Sequence, residues 1–406
     1  MNNHSRPPHR LTPNHAGDVA EILREANTSC QRCEIIGGGT KRSLGGPVDA
    51  DLQLDLSVIA GIEMYEPEEL VLKVLAGTPV SHLRQVLAER NQHLAFEPPQ
   101  YAALFGDSTS EDTIGGIVAC NLSGPRRVLS GSARDTVLGI EGVNGRGETF
   151  KGGGRTVKNV TGYDIPRLLT GSFGVLAVLT SITLNVHPAP AQETTLMLTG
   201  LSDTVAIEGL SGALKLPLDI SAAIHLSGRS FDSLTAVRLE GFPESVAARE
   251  RELGRYFEKM GSVTSIGGDE SSTFWRRQRD LADFVSNPGD DPEACVWRLL
   301  LPATKAARVV AAVRGEVLYD WGGSQVFVKT SADGARSQAA SLRTLAGEAG
   351  GSACLFKAPA PLRLELGTFQ PRPRPHQELA ERVRMSFDPK RLLNPGKLAF
   401  ASRGAA

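Results

Sequence analysis

Residues 34–46 read EIIGGGTKRSLGG: a short β-branched run, three consecutive glycines, Thr-Lys-Arg-Ser, then two more glycines. No regular element gains from that glycine density, because glycine loses more conformational freedom on ordering than any other residue. A chain carries such a loop where its backbone must take positive φ or come very close to another group, usually a phosphate. Two common phosphate loops are excluded. A P-loop needs Gly-Lys-Ser/Thr in register, and none follows Gly37, Gly38 or Gly39. A Gly-x-Gly-x-x-Gly fingerprint needs glycine where Arg42 stands, and Gly45-Gly46-Pro47 blocks a helix start. A nest of main-chain N–H groups from Gly37, Gly38, Gly39, Thr40 and Lys41 can still converge on a pyrophosphate without a helix. The hydroxyls of Thr40 and Ser43 and the charge of Lys41 are expected to assist it.

A second glycine element, TIGGIVACNLSGPRR, occupies 113–127. Thr113, Gly115 and Gly116 precede the small residues Ala119, Ser123 and Gly124. A helix starting at these glycines would point its N–H groups at negative charge. Either element alone is accounted for by a tight turn with close packing. Two of them, both beside strands, point to a large diphosphate ligand in a cleft between two subdomains.

The chain has 406 residues, 41% of them apolar, and a formal net charge of -1, which suits two or three domains with ample core. A charge near zero argues against a nucleic-acid surface. The run VLAVLTSITLNV at 175–186 is shorter and more polar than the about 18 apolar residues of a membrane helix, so no direct span is expected. Residues 1–16 lack the apolar core of a signal peptide and read as a disordered or frayed leader, which makes the cytoplasm the expected compartment. Cys30 and Cys33 form one C-x-x-C with no second pair to close a zinc site, and no run has iron–sulfur spacing. The pair reads as a helix end with two ordinary thiols, a thioredoxin-type redox pair being the alternative.

Val19, Ile22, Leu23 and Ala26 predict a helix over 18–27. EII is a strand feeding the glycine loop, 51–59 and 70–77 are further strands, and Pro79 opens a helix with Leu83, Val86 and Leu87 on one face. Residues 113–124 predict a helix, 136–153 a hairpin turning at Asn144-Gly145-Arg146-Gly147, 162–174 a short helix with a glycine turn, and 175–186 a strand. HPAPAQ at 187–192 has the character of a linker. Beyond it strand-like and helix-like segments alternate, which predicts an antiparallel sheet with helices on one side, and the chain closes with a helix and a Pro/Gly-rich tail.

Together, IIGGGTKRSLGG, the stretch from TIGGIVACNLSGPRR through GSARDTVLGIEGVNGRGETFKGGGRTVKNVTGYDIPRLLTGSFGVLAVLT, and the terminal FDPKRLLNPGKL resemble the flavin-binding family shared by vanillyl-alcohol oxidase, D-lactate dehydrogenase and glycolate oxidase. The run Val157-Lys158-Asn159-Val160-Thr161-Gly162-Tyr163-Asp164 resembles most closely the flavin subunits of bacterial glycolate oxidases, the smaller of them in particular. The resemblance implies an α+β fold: a PCMH-type FAD-binding domain of two α+β subdomains, followed by an α/β cap domain with an antiparallel sheet. The expected division is a leader over 1–16, the FAD-binding domain over 17–188, the cap over 189–375, and a helix and tail over 376–406 returning to the FAD domain. By resemblance, Gly37, Gly38, Gly39, Thr40 and Lys41 wrap the pyrophosphate, and Thr113, Gly115 and Gly116 line the same ligand from the other side. Ala119 and Gly124 lie close to the flavin, and Asn394 brings the tail back to it. Where relatives carry G-S-E-G-x-L-G, this chain has Gly171-Ser172-Phe173-Gly174-Val175-Leu176-Ala177, and backbone contacts at Gly174 and Val175 are expected to survive the change. No histidine lies in the first glycine loop, where several relatives attach FAD covalently, so non-covalent FAD is expected.

Relatives that oxidise 2-hydroxy acids unaided carry a metal-binding H-x-G-D-G-N-x-H stretch in the cap, whose cation clamps the substrate carboxylate and hydroxyl. No two histidines fall at ligand spacing in this cap region, so no metal is expected, and His225 in AIHLSG reads as a packed strand histidine. Lys158, Tyr163 and Asp164 are candidates for handling a proton; the plainer reading is that they fix their loop. Trp275 beside Arg276 and Arg277 is a candidate partner surface. The resemblance therefore implies one FAD-binding subunit of a heteromeric glycolate oxidase that turns a small 2-hydroxy acid, glycolate, into glyoxylate. Its partners would be a second flavin subunit and an iron–sulfur subunit, through which it would sit at the periphery of the inner membrane. The competing readings are a stand-alone FAD dehydrogenase of another hydroxy acid or alcohol, and a non-catalytic assembly subunit.

Overall fold

The computed structural model describes residues 7–107, 109–155, 162–228, 232–285, 291, 293–398 and 400. The chain separates into two compact units, one built from Met1–Leu122, Ser132–Pro188 and Arg372–Ala399, the other from Ser123–Gly131, Ala189–Pro371 and Phe400–Ala406.

The first unit holds two main sheets. In the smaller, strands His9–Leu11, Leu52–Asp55 and Cys33–Ile36 lie parallel in that spatial order, and Leu393 of the tail adds a parallel bridge to Cys33. Helix Ala16–Ser29 links the first strand to Cys33–Ile36. Its stripe of Val19, Ala20, Leu23 and Ala26 packs with Leu52, Leu54 and Val178. A capping box between His15 and Asp18 starts this helix, and Cys30 in the left-handed region ends it. His9–Leu11 corrects the expected leader: its register with Leu52–Leu54 gives it a place in the sheet. A strand of three residues is too short to announce itself by alternation.

The larger sheet is antiparallel, in the order Ile62–Glu66, Val71–Leu75, Ala177–Asn185, Val137–Asn144, Thr149–Gly153. Its central strand, Ala177–Asn185, is buried everywhere except Asn185, which explains a continuous apolar run rather than an alternating one. The helix expected over 113–124 spans only Ile114–Cys120, because Asn121 takes a left-handed conformation and stops it.

The second unit is one eight-stranded antiparallel sheet, ordered Val263–Gly267, Gln192–Thr199, Leu234–Gly241, Ile220–Leu226, Glu316–Asp320, Gln325–Thr330, Cys295–Leu300, Ser352–Lys357. Leu196, Val237, Trp297 and Leu355 of the sheet share a core with Leu210, Phe257, Val310 and Leu342 from the helices. This is the layered arrangement of sheet and helices expected beyond the linker. Trp275 is not a surface residue: it is 2% exposed, donates to Thr195 Oγ1 at 2.6 Å, and lies under the Arg238 guanidinium. His225 is fully buried. Its ring nitrogens meet Thr235 Oγ1 at 2.9 Å and Asp203 Oδ1 at 3.2 Å, as a packed strand histidine should. Among the described residues, no helix is long and apolar enough to cross a membrane.

Candidate cofactor site

In the first unit the glycine loop, helix Ile114–Cys120 and strand Ala177–Asn185 line one cleft. Strand Cys33–Ile36 delivers the loop to its rim. Gly37, Gly38, Gly39, Thr40, Lys41, Thr113, Gly115, Gly116, Ala119, Gly174 and Asn394 all stand on its wall. Gly124 and Val175 do not. Gly124 belongs to the second unit, where its carbonyl accepts from Trp321 Nε1 at 3.0 Å. Val175 turns into the core, 3% exposed. Ser43, expected to lend a hydroxyl, is absent from the wall as well.

The three loop glycines answer different demands. A Cβ on Gly38 would sit 1.8 Å from the Glu111 carbonyl, and one on Gly37 would sit 2.4 Å from Thr113 Oγ1. Those two let the loop pack against residues 111–113. Gly39, at φ +75°, would meet no protein atom within 4 Å. Among the described residues, no protein acceptor engages the N–H groups of Gly38, Gly39, Thr40 or Lys41. Four consecutive donors along the wall of a cleft fit an anion, and a diphosphate in particular.

Side chains are committed elsewhere. Thr40 Oγ1 and Lys41 Nζ both donate to Asp112 Oδ1, whose other oxygen accepts from Tyr101 N at 3.1 Å. The expected hydroxyl and charge of Thr40 and Lys41 are thus spent within the protein, on a buried carboxylate. Arg42 pairs with Glu34 through two bonds of 2.8 and 2.7 Å, and Gln53 adds a third at 2.8 Å.

The second glycine element also works differently from expectation. Ile114 N donates to Thr78 O, Gly115 N to Ala76 O, and Gly116 N to Thr113 Oγ1, at 3.0, 2.8 and 3.3 Å. The first N–H groups of this helix are consumed by protein, so the element supplies a close, small-residue wall rather than an anion hole. From its far end hangs the turn over 171–174: Gly171 N donates to Val118 O at 3.0 Å and Phe173 N to Ala119 O at 2.8 Å. Asn394 joins that turn to the loop strand, accepting from Ile35 N at 2.7 Å and donating to Phe173 O at 2.9 Å.

Of the other candidates, those among the described residues stand off the cleft wall. Lys158 lies outside the described residues, as does most of the run 157–164. Tyr163 is 92% exposed, and Asp164 caps helix Ile165–Leu169 by accepting from Arg167 N at 3.1 Å. Cys30 sits exposed at a helix C-cap, while burial pushes the Cys33 thiol up to about 12, so the pair is a helix end beside an inert thiol. Sequence reasoning missed Asp112, Lys397 and Glu34. Asp112, directly before Thr113, and Lys397, in NPGK, stand beside noted motifs, and that adjacency was the available signal.

A family model described as an FAD binding domain matches residues 7–153. Glycolate oxidase subunit GlcE of Escherichia coli (strain K12) is 35% identical over 94% of this chain and 96% of its own length. The chain belongs to the GlcE family of FAD-dependent oxidoreductases. Glycolate oxidase subunit GlcD of Bacillus subtilis (strain 168) is 30% identical over 54% of this chain and 44% of its own. In fold, the chain is similar to p-cresol methylhydroxylase, with a TM-score of 0.72 at 12% identity, covering 97% of this chain and 88% of that one. FAD is the cofactor of this family, and four amides without an acceptor among the described residues, beside an unobstructed Gly39, fit its diphosphate.

Proposed function

We propose that this chain is the FAD-binding subunit of a glycolate-oxidising complex. Glycolate loses two electrons and two protons at its C2 carbinol to give glyoxylate, and the electrons leave through an iron–sulfur partner. The observation that carries this reading is the likeness to GlcE along nearly the whole of both chains. When bound, FAD supplies the two-electron acceptor that no side chain provides. The chain's own residues hold and orient it. The N–H groups of Gly38, Gly39, Thr40 and Lys41 grip the diphosphate, and Asp112 fixes Thr40 and Lys41 behind them. Gly115 lets the helix pack against Ala76, Gly116 and Ala119 keep the facing wall low, and Asn394 sets the Phe173–Gly174 turn. Attachment is non-covalent: Cys120 is the thiol on the wall, and burial raises its pKa, which keeps it protonated.

The test compares the purified chain with the chain co-expressed with a second flavin subunit and an iron–sulfur subunit. The chain alone is expected to carry FAD that denaturation releases in full, and to reduce a dye with glycolate only in the complex. Turnover of glycolate or D-lactate by the isolated chain would establish a stand-alone dehydrogenase instead. A colourless chain that still joins its partners would establish an assembly role.

A further inference from the structure

The loop that holds the amides must be held itself. Its exit is closed by two overlapping turns, Arg42 N to Gly39 O at 3.2 Å and Leu44 N to Lys41 O at 3.1 Å. Isolated turns of this kind are weak, and this loop has neither helix nor strand beyond Ile36 to stiffen it. What reaches the exit comes from the other end of the chain. Lys397, 8% exposed and on the cleft wall, donates from its ammonium to the carbonyls of Lys41 at 3.2 Å and Arg42 at 3.0 Å. Its own carbonyl accepts from Gly46 N at 2.9 Å, so one residue clamps both the loop exit and the Gly45-Gly46 turn after it. Taking an ammonium out of water is expensive, and the hydrogen bonds of Lys397 to two main-chain carbonyls offset part of that cost. The residues before it fix its position: Asp388 accepts from Leu392 N and Leu393 N, Asn394 N donates to Cys33 O, and Lys397 N donates to Asn394 O.

We infer that Lys397 is a positioning residue of the FAD cradle, fixing the carbonyls of Lys41 and Arg42 so that the donor run from Gly38 to Lys41 is set before the cofactor arrives. The inference deepens the assignment of this cleft to FAD and rests on it. Preorganisation of this sort appears in affinity, because an unclamped loop must be ordered at the expense of binding. The chemistry of the lysine matters only as a donor of the right reach. A replacement that keeps the reach and the donors therefore restores the cradle.

Full-length apoprotein is titrated with FAD by flavin fluorescence for wild type, K397M, K397Q and K397R, with K305M, a lysine of the second unit, as control. Thermal melting and circular dichroism of each apoprotein are recorded alongside, with hydrogen exchange at Arg42 and Leu44. The expected result is a Kd raised at least about tenfold in K397M, smaller loss in K397Q, and recovery to within about threefold in K397R. Exchange at Arg42 and Leu44 should quicken in K397M while apoprotein melting changes little. K397M binding FAD within about twofold of wild type, with unchanged exchange, overturns the inference. Should K397M not fold, K397Q decides by the same two readouts. A wild-type chain that takes up no FAD would instead overturn the cleft assignment itself.

Discussion

Gly38 and Gly39 stand side by side in the loop, yet they should fail for different reasons. Ala at position 38 drives a methyl into the Glu111 carbonyl, so G38A is expected to lower apoprotein stability by about 1–3 kcal/mol or more. A Cβ at position 39 meets no protein atom within 4 Å, but Val there forces a β-branched residue into φ +75° on the cleft wall. G39V should cost roughly 1–3 kcal/mol of stability through strain and should also weaken FAD by at least about tenfold. Both variants should melt below wild type, and flavin titration separates them. Equal FAD affinities for G38A and G39V would refute the assignment of Gly39 to the ligand face. Behind the loop, D112A leaves the buried Lys41 ammonium without its carboxylate and should cost about 3–5 kcal/mol in urea unfolding. The glycines were legible because backbone conformation is written in residue type. Asp112 and Lys397 were not, because a buried charge declares its partner only when the chain has folded.

At the scale of elements, regularity was legible and the destination of its hydrogen bonds was not. Helix Ile114–Cys120 was readable from its small residues and its glycine opening. That its first N–H groups would be met by the carbonyls of Thr78 and Ala76 depends on a strand end brought in from elsewhere in the chain. The same limit applies to helix Asp203–Ala213, whose first residue is also a charge centre. Burial alone would push the Asp203 carboxyl upward. Hydrogen bonds from His225, Tyr319 and Ser227 prevail and hold it at about 2. The unfolded chain takes up this proton near the ordinary aspartate pKa of about 3.9, so Asp203 contributes stability above that pH and loses it as pH falls towards 2. With its side chain 32% exposed, the contribution is discounted to about 1–2 kcal/mol. D203N should therefore unfold at lower urea than wild type at pH 7, and the gap should narrow as pH drops below about 4. A gap that stays constant down to pH 3 would show that the contribution is not electrostatic.

For the whole molecule, the decisive feature is a sheet whose two edges come from segments far apart in the chain. The parallel sheet under the glycine loop runs from His9–Leu11 through Leu52–Asp55 to Cys33–Ile36, and closes on Leu393. Its edges are thus drawn from the beginning and the end of the chain, with the residues of the eight-stranded unit lying between them in sequence. The resemblance implied that the tail returns, but not that it supplies an edge bridge, the Asn394 tie to Ile35 and the Lys397 clamp on the loop exit. Those contacts pair residues 359 and 356 positions apart in sequence, beyond the reach of any local pattern. A chain ending at Phe387 keeps every strand of the eight-stranded unit and every glycine of the cradle, yet loses Asp388, Leu393, Asn394 and Lys397 together. The truncated protein is expected to retain most of its far-ultraviolet circular dichroism and a cooperative melt while losing visible flavin absorbance, with added FAD bound at least about a hundredfold more weakly. Because four anchors are lost, the deficit should exceed that of K397M alone. Stoichiometric flavin in the truncated chain would show that the cradle forms without the tail, leaving the closing bridge a matter of stability and not of cofactor binding.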